Sequence, residues 1–161
     1  MNLYKTQNIF FDLCLDKVKA KSIEQVFHLV DQEICKDGAV KVKNGVVIKA
    51  LESEQSEHGF SVMNGVLVCN ANVKAMNARK TIFMRLERPI TAESIHDQPF
   101  DMVACTISPE RLGILGLRYL SRLTRFFGDK QLIENLHAVN STDGMDLLLN
   151  DVKPLEKDEA A

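Results

Sequence analysis

A nearly continuous apolar run at residues 100–107 constrains the fold of this chain more than any other segment. The run reads Phe-Asp-Met-Val-Ala-Cys-Thr-Ile, and Asp101 and Thr106 are its only polar side chains. A strand with one wet face alternates apolar and polar residues, whereas a run of this kind is typical of a central strand covered on both faces. Segments with helical periodicity alternate with strand-like segments along the chain. We therefore predict an α/β layered domain with helices packed around a sheet.

Helical periodicity predicts five helices. The first follows Ser22, a typical N-cap residue, and its apolar residues recur at spacings of three and four until Asp37 and Gly38 end it. His28 falls near this apolar face, so we interpret it as a packed or boundary residue. The other four helices are expected from residue 46 to a loop at 56–64, and at residues 112–127, 130–138 and 141–149.

The residue pattern alone predicts three or four strands, of which the central run is one. Residues 66–68 form a short apolar strand, and residues 81–86 form another that ends before Pro89. Residues 9–15 are expected to form a strand or an edge element. Residues 70–78 have little apolar content and are expected to form a loop.

Length and composition exclude several classes of function. The 161 residues fit one domain, and the net charge of −2 gives no general attraction to nucleic acid or anionic lipid. The absence of tryptophan and the presence of only two tyrosines argue against a base-stacking surface. Four separate cysteines and four scattered histidines indicate buried, reduced thiols and no metal-ligand cluster, so no metal or cofactor is expected. No apolar stretch reaches the ~20 residues that span a bilayer, and a cytoplasmic location is expected.

Three blocks of sequence follow one another in a recognisable order. The first, residues 60–71, reads Phe-Ser-Val-Met-Asn-Gly-Val-Leu-Val-Cys-Asn-Ala. The second, residues 95–101, reads Ile-His-Asp-Gln-Pro-Phe-Asp and leads into the central run, which Ser108 and Pro109 close. The third lies in the helical C-terminal part and comprises Leu117, Leu120, Leu123, Phe127-Gly128-Asp129-Lys130 and Ser141-Thr142-Asp143. Together the blocks resemble the enzyme IIA domains of the phosphotransferase system, of the mannitol, fructose and nitrogen-regulatory type (type 2).

The resemblance implies a three-layer α/β/α domain over residues 1–150, with a mixed sheet of about five strands, followed by a polar tail at residues 151–161. It also implies that the phosphoryl-acceptor histidine of the family falls at Asn70. A phosphoryl-binding arginine falls at about Glu54, and a second histidine falls at Gly116. Asn64 and Gly65 in the loop before the site keep the family pattern.

These substitutions predict a degenerate phosphoryl site. An amide nitrogen such as that of Asn70 is a very poor phosphoryl acceptor, and phosphoryl transfer needs positive charge on the transferred oxygens. A carboxylate at Glu54 would instead repel a phosphoryl group by roughly 4 kcal/mol per unit charge at ~4 Å and an effective dielectric constant of 20. No catalytic residue is therefore expected at the usual positions.

Two residues are candidate surrogate acceptors. Cys69 adjoins the acceptor position, and a thiolate can carry a phosphoryl group, although a cysteine at the end of an apolar strand is more often a small buried hydrophobe. His58 lies in the loop before the strand, where a histidine is more often simply solvated.

Arg118, Arg122 and Arg125 recur at i, i+4 and i+7 on one predicted helix, opposite Leu117, Leu120 and Leu123. The ordinary meaning is the solvated face of an amphipathic helix. The sharper hypothesis is a docking surface for an acidic protein partner. A third interpretation pairs Arg118 with Glu54, which would turn a phosphate site into an ion pair.

Three functions are compatible with this pattern. The first is a regulatory protein-binding module of a bacterial phosphotransferase system that is not phosphorylated at the usual position. The second is a true phosphocarrier that uses Cys69 or His58. The third is a domain that binds a small molecule in the former phosphoryl site.

Overall fold

A mixed five-stranded sheet forms the middle layer of the described structure, in the order β1-β4-β5-β3-β2. The computed structural model describes residues 9–38, 41–109 and 114–150. Strand β5 runs parallel to β3 and antiparallel to β4, which confirms the predicted mixed sheet and its central strand. The strands are β1 (Leu13–Val18), β2 (Ser61–Met63), β3 (Val66–Asn72), β4 (Lys80–Ile90) and β5 (Phe100–Ser108).

Helices cover both faces of this sheet and complete three layers. Helices α1 and α2 pack on one face, and α3, α4 and α5 pack on the other. All five predicted helices are present, although the first residues expected for the third helix lie outside the described residues, as does the tail at 151–161. The helices are α1 (Ile23–Lys36), α2 (Val46–Glu57), α3 (Ile114–Phe126), α4 (Lys130–Ala138) and α5 (Thr142–Asn150).

Strand β5 contributes side chains to both hydrophobic cores. Val103, Cys105 and Ile107 are buried in the core under α1 and α2. Met102 and Ala104 are buried in the core under α3, α4 and α5. The apolar run therefore has no wet face, because successive side chains of a strand point to opposite faces of the sheet.

Three expectations about strands and loops were wrong. Strand β3 does not end at residue 68 but continues to Asn72, because β5 offers parallel partners up to Ser108. Strand β4 continues past Pro89 to Ile90, across an irregularity in its pairing with β5. The loop expected at 56–64 contains strand β2, which pairs with the first residues of β3.

Two side chains lie on a different side of their helix than the periodicity suggested. His28 is exposed, because the buried face of α1 consists of Ile23, Val26, Phe27, Val30, Asp31 and Ile34. Leu117 on α3 is 69% exposed, whereas Tyr119 and Leu123 are buried. Residues 119, 123 and 127 continue at steps of four, and this row is the side of α3 that faces the sheet.

A buried carboxylate of α1 positions α2. Gly45 begins α2 with φ of 92° and has no side chain that could cap the helix. Asp31 is only 5% exposed, and its Oδ1 accepts hydrogen bonds of 3.1 Å from the amides of Gly45 and Val47. A carboxylate at a helix N-terminus satisfies free amides and complements the helix dipole. Asp31 thereby fixes the helix whose other end carries Glu54.

A charged clamp joins three elements on the other face of the sheet. Arg85 of β4 donates from Nε and Nη2 to the two carboxylate oxygens of Asp16 in β1, each at 2.8 Å. Its Nη1 donates at 2.7 Å to the carbonyls of Leu136 and Val139 at the end of α4. The hydrogen bonds from Arg85 lower the pKa of Asp16, and the same contact raises the pKa of Arg85.

The Asp16–Arg85 clamp predicts a pH-dependent loss of stability. Replacing Asp16 with Asn is expected to lower the free energy of unfolding by about 1.5–3 kcal/mol near neutral pH, the range for hydrogen bonds to charged groups. Because the pKa of Asp16 is lowered in the folded state, its contribution is fully present above the unfolded value of 3.8. It is lost as the pH falls from that value through the folded pKa.

Urea unfolding of wild type and Asp16→Asn over this pH range measures the effect. The exposed Asp97, with no side-chain hydrogen bond in the described structure, provides the control Asp97→Asn. A difference between wild type and Asp16→Asn that stays constant down to the lowest pH would contradict the assignment.

Candidate functional site

A row of polar side chains crosses three strands where β3 and β5 end and β4 begins. Asn70 of β3 is in register with Thr106 of β5, which is in register with Thr81 of β4. The Oγ1 atoms of Thr81 and Thr106 lie 3.1 Å apart, and Thr81 Oγ1 lies 2.5 Å from the hydroxyl of Tyr119 on α3. The row therefore faces the layer of α3, on the sheet face opposite α1 and α2.

Tyr119 adds a phenol to this row, and the guanidinium of Arg79 lies over its ring. The ring is buried, and the Cζ atom of Arg79 lies 3.6 Å from its centroid. Burial raises the pKa of Tyr119, so the phenol stays neutral and acts as a hydrogen-bonding group. The sequence analysis did not identify these residues. Threonines within two apolar strands were the available signal, but only the strand register places them side by side.

Asn70 occupies the exposed end of the row. Its side chain is half-buried on a regular strand. It forms no hydrogen bond with the side chain of another described residue. An asparagine amide can donate two hydrogen bonds and accept two, but it offers no basic lone pair for covalent chemistry. This end of the row can therefore bind a polar group, and it lacks a nucleophile.

Cys69 and Cys105 lie on the opposite face of the sheet from Asn70. The two residues are in register on β3 and β5, and both are fully buried in the core under α1 and α2. The neighbouring Cys69 thiol, together with burial, raises the pKa of Cys105 well above its usual value. The Cys105 thiol is thus held neutral next to Cys69.

Glu54 and His58 form a close pair at the end of α2. His58 Nδ1 lies 2.6 Å from Glu54 Oε2, and the side chains are 55% and 17% exposed, respectively. Glu54 is thus engaged with His58 and not with Arg118, which lies on α3 in the other helical layer. The residue at the expected position of a phosphoryl-binding arginine is an anion bonded to an imidazole.

Asn64 and Gly65 lie at the other end of β3. Both have positive φ, 51° and 82°, as the tight turn between β2 and β3 requires. The side-chain amide of Asn64 donates a hydrogen bond of 3.0 Å to the carbonyl of Phe127, just after α3. Six residues of extended strand, or about 20 Å, separate Asn64 from Asn70. The structure therefore does not bring this turn and Asn70 together.

The first and outer parts of α3 are exposed. Gly116 is half-exposed in the first turn, Arg118 and Arg125 are exposed, and Arg122 is half-buried. Leu117 stands beside Arg118 with 69% of its surface exposed. We call Leu117, Arg118, Arg122 and Arg125 the α3 basic face. No ion pair of these three arginines occurs with a described residue.

One groove in the described structure lies near the start of β4. A groove of about 240 Å³ lies between the end of α1 and strands β1 and β4. Ion pairs Lys36–Glu33 at 3.0 Å and Lys80–Asp37 at 3.6 Å border it. Among the described residues, no group of three His, Cys, Asp or Glu side chains could hold a metal ion. Over the same residues, no helix is long and apolar enough to cross a membrane.

Comparison with protein families decides the relationship of the chain. Residues 7–152 match the family described as phosphoenolpyruvate-dependent sugar phosphotransferase system, EIIA 2. The chain belongs to this family.

Two nitrogen regulatory proteins are similar to this chain in sequence. A nitrogen regulatory protein of Bradyrhizobium diazoefficiens is 32% identical over 74 residues, which cover 46% of this chain and 48% of that protein. The nitrogen regulatory protein of Escherichia coli K12 is 23% identical over 109 residues, 67% of each chain.

Solved enzyme IIA structures share the fold. The nitrogen regulatory protein IIA-Ntr of Neisseria meningitidis has a TM-score of 0.75 at 18% identity and covers 86% of this chain and 92% of its own. The mannitol IIA protein of Escherichia coli has a TM-score of 0.66 at 18% identity, with coverage of 89% and 96%. These comparisons confirm the predicted family and the α/β fold with its mixed sheet.

The buried thiols predict a protected set of cysteines. In the native protein, a thiol reagent such as Ellman's reagent is expected to react slowly at Cys14, Cys69 and Cys105. All three are buried, and burial raises the pKa of Cys14 to about 12. Half-buried Cys35 is the one expected to react first, although burial also raises its pKa.

Timed labelling followed by peptide mass analysis measures this order. All four thiols should react at once in concentrated guanidinium chloride, and a Cys35→Ser variant should remove the earliest native signal. Rapid labelling of Cys69 in the folded protein would show that this thiol is accessible after all.

Proposed function

We propose that this protein is a regulatory, protein-binding member of the enzyme IIA family that is not phosphorylated at position 70. The observation that carries the proposal is the nature of Asn70. The family resemblance aligns the phosphoryl-acceptor histidine with this residue, which offers an amide at the end of β3. An amide nitrogen has no basic lone pair with which to attack phosphorus.

The charges around this edge of the sheet support the same proposal. The position aligned with a phosphoryl-binding arginine holds Glu54, a carboxylate that accepts from His58 at 2.6 Å. The position aligned with a second histidine holds Gly116, which has no side chain. A phosphoryl group at residue 70 would thus meet neither of the two groups that the family supplies for it.

The buried position of Cys69 argues against its use as the acceptor. Its thiol lies in the core under α1 and α2, with no exposed surface and with Cys105 beside it on β5. A phosphoryl donor would have to open the domain to reach it. Asn70 on the neighbouring position points to the other face of the sheet.

Partner binding is assigned to the α3 basic face. It combines an exposed leucine with guanidinium groups that lack ion-pair partners among the described residues. Arginine beside an exposed apolar side chain is typical of protein interfaces, and three positive charges favour an acidic partner. A solved complex joins the mannitol enzyme IIA of Escherichia coli to phosphorylated enzyme IIB, so protein binding has a precedent in this fold. We place this activity in the bacterial cytoplasm.

Replacing Asn70 with His is expected to leave residue 70 unphosphorylated. Glu54 puts a carboxylate where the family resemblance places a phosphoryl-binding arginine, and Gly116 supplies no stabilising group. The measurement is incubation with phosphoenolpyruvate, enzyme I and the phosphocarrier protein, followed by intact mass and peptide mapping. The combined variant Glu54→Arg, Asn70→His, Gly116→His is the matched comparison and is expected to gain a phosphoryl group at residue 70. Efficient labelling of residue 70 in the single variant would refute the role given to Glu54.

Charge reversal on the α3 basic face is expected to weaken the binding of a protein partner. Arg118→Glu with Arg125→Glu should weaken binding of a specific partner by at least about tenfold, or about 1.4 kcal/mol. The matched control reverses two exposed lysines elsewhere, Lys19→Glu with Lys49→Glu, and changes the net charge equally. Quantitative affinity capture from the native host identifies proteins kept by wild type and control but lost by the arginine variant. Titration of the purified partner then measures the affinity of each variant. Equal affinity of the arginine variant and the lysine control would show that the α3 basic face does not bind this partner.

A further inference from the structure

We infer that the tail at residues 151–161 binds the α3 basic face of its own chain and competes there with an acidic protein partner. This inference rests on the proposed function, because it names the segment that occupies the same surface when no partner is bound. Three observations carry it: the place where α5 ends, the length of the tail, and the opposite charges of the tail and the α3 basic face.

The arginines of α3 belong to a row that leads to the end of α5. Arg118, Arg122 and Phe126 follow one another at steps of four, so they share one side of the helix. The ring centroid of Phe126 lies 5.8 Å from that of Phe11. The side chain of Asn150 accepts a hydrogen bond of 2.9 Å from the amide of Phe11 and donates one of 3.0 Å to its carbonyl. The arginine row and the last residue of α5 therefore meet at Phe11.

The tail is long enough to cover this row. Eight helical residues separate Phe126 from Arg118, which is about 12 Å along the helix axis. Eleven residues of extended chain span up to about 36 Å. The acidic residues of the tail between 156 and 159 follow Asn150 by six to nine residues, a reach of about 20–30 Å. They can therefore meet the arginines from one end of the row to the other.

The tail and the α3 basic face carry opposite charges. The tail reads Asp-Val-Lys-Pro-Leu-Glu-Lys-Asp-Glu-Ala-Ala, with four acidic and two basic side chains. The three arginines of α3 form no ion pair with a described residue, and guanidinium groups bind carboxylates through paired hydrogen bonds. Leu155 of the tail also offers an apolar side chain to the exposed Leu117.

Attachment to α5 favours the tail over a free acidic segment. A tethered segment meets its site at an effective concentration that is about millimolar for a short linker. Exposed ion pairs are individually weak, so a partner with a larger interface can displace the tail. Until it is displaced, the tail lowers the apparent affinity for the partner by the fraction of molecules in which the face is free. The tail thus sets a threshold for partner binding.

Carbodiimide crosslinking of the full-length variant Arg122→Lys tests this contact. The substitution keeps the positive charge and supplies an amine that a carbodiimide joins to a carboxylate, and α3 itself contains no lysine. Peptide mapping of the monomer is expected to find crosslinks from position 122 to Glu156, Asp158 or Glu159. Their yield should exceed that from the exposed Lys19 or Lys49 to the same carboxylates by at least about fivefold. It should fall in about 1 M NaCl, where the Debye length is about 3 Å.

Charge reversal on either side of position 122 provides the matched comparison. In the Arg122→Lys background, Arg118→Glu with Arg125→Glu is expected to lower the crosslink yield by at least about fivefold, because like charges then face each other. Lys19→Glu with Lys49→Glu changes the net charge equally and should leave the yield unchanged. Thermal unfolding verifies that each variant is folded. Arg125→Lys, tested in the same way, replaces Arg122→Lys if that protein does not fold.

Neutralising the tail tests the competition with a partner. The partner is the one identified by charge reversal of the α3 basic face. The full-length variant Glu156→Gln, Asp158→Asn, Glu159→Gln is expected to bind it about threefold to tenfold more tightly than wild type, because the face is free in more molecules. An unchanged affinity would show that the tail does not compete.

Two crosslinking results would overturn the inference. One is a yield at position 122 that does not exceed the yield at Lys19 and Lys49. The other is a crosslink that forms only between chains, which a mixture of unlabelled and ¹⁵N-labelled protein reveals as mixed-isotope products. Because crosslinking needs no partner, its failure leaves the proposed partner binding by the α3 basic face intact. Conversely, failure to find a partner for this face would leave the crosslink unchanged.

Discussion

The double burial of β5 is the constraint on which the rest of the structure depends. This strand pairs with β3 on one side and β4 on the other, and its side chains enter both cores. A strand with no wet face is stable only where apolar layers cover both sides, because burial of apolar surface provides the main driving force for folding. The helices on both faces are therefore needed to bury the apolar side chains of β5.

Most of the fold was predictable because its signals are local. Ser22 at the start of α1, Gly128 after α3 and the run in β5 are each visible in a few neighbouring residues. The extension of β3 to Asn72 was not predictable in this way. Its last residues, Asn70 to Asn72, are poor strand formers, and their extended form depends on hydrogen bonding with β5, which lies about 35 residues later in the chain.

The sequence predicts positions for a candidate site, but it does not predict their side-chain contacts. Family resemblance pointed to Asn70, Glu54 and Gly116 from order and spacing alone. It could not show that Glu54 bonds to His58, because a turn of helix and the rotamers of both side chains decide that contact. Nor could it show the contact of Tyr119 with Thr81, which joins a helix to a strand 38 residues away. Long-range side-chain contacts of this kind arise from packing and leave little trace in a single sequence.

The hydrogen bond from Asn64 to the carbonyl of Phe127 has a consequence for how such proteins are recognised. The Asn-Gly pair is a prominent part of the family pattern, yet here it latches the β2–β3 turn to the end of α3, far from Asn70. Selection for folding alone can preserve that latch. A sequence comparison that scores this pair therefore measures shared architecture and carries no information on the side chain at position 70.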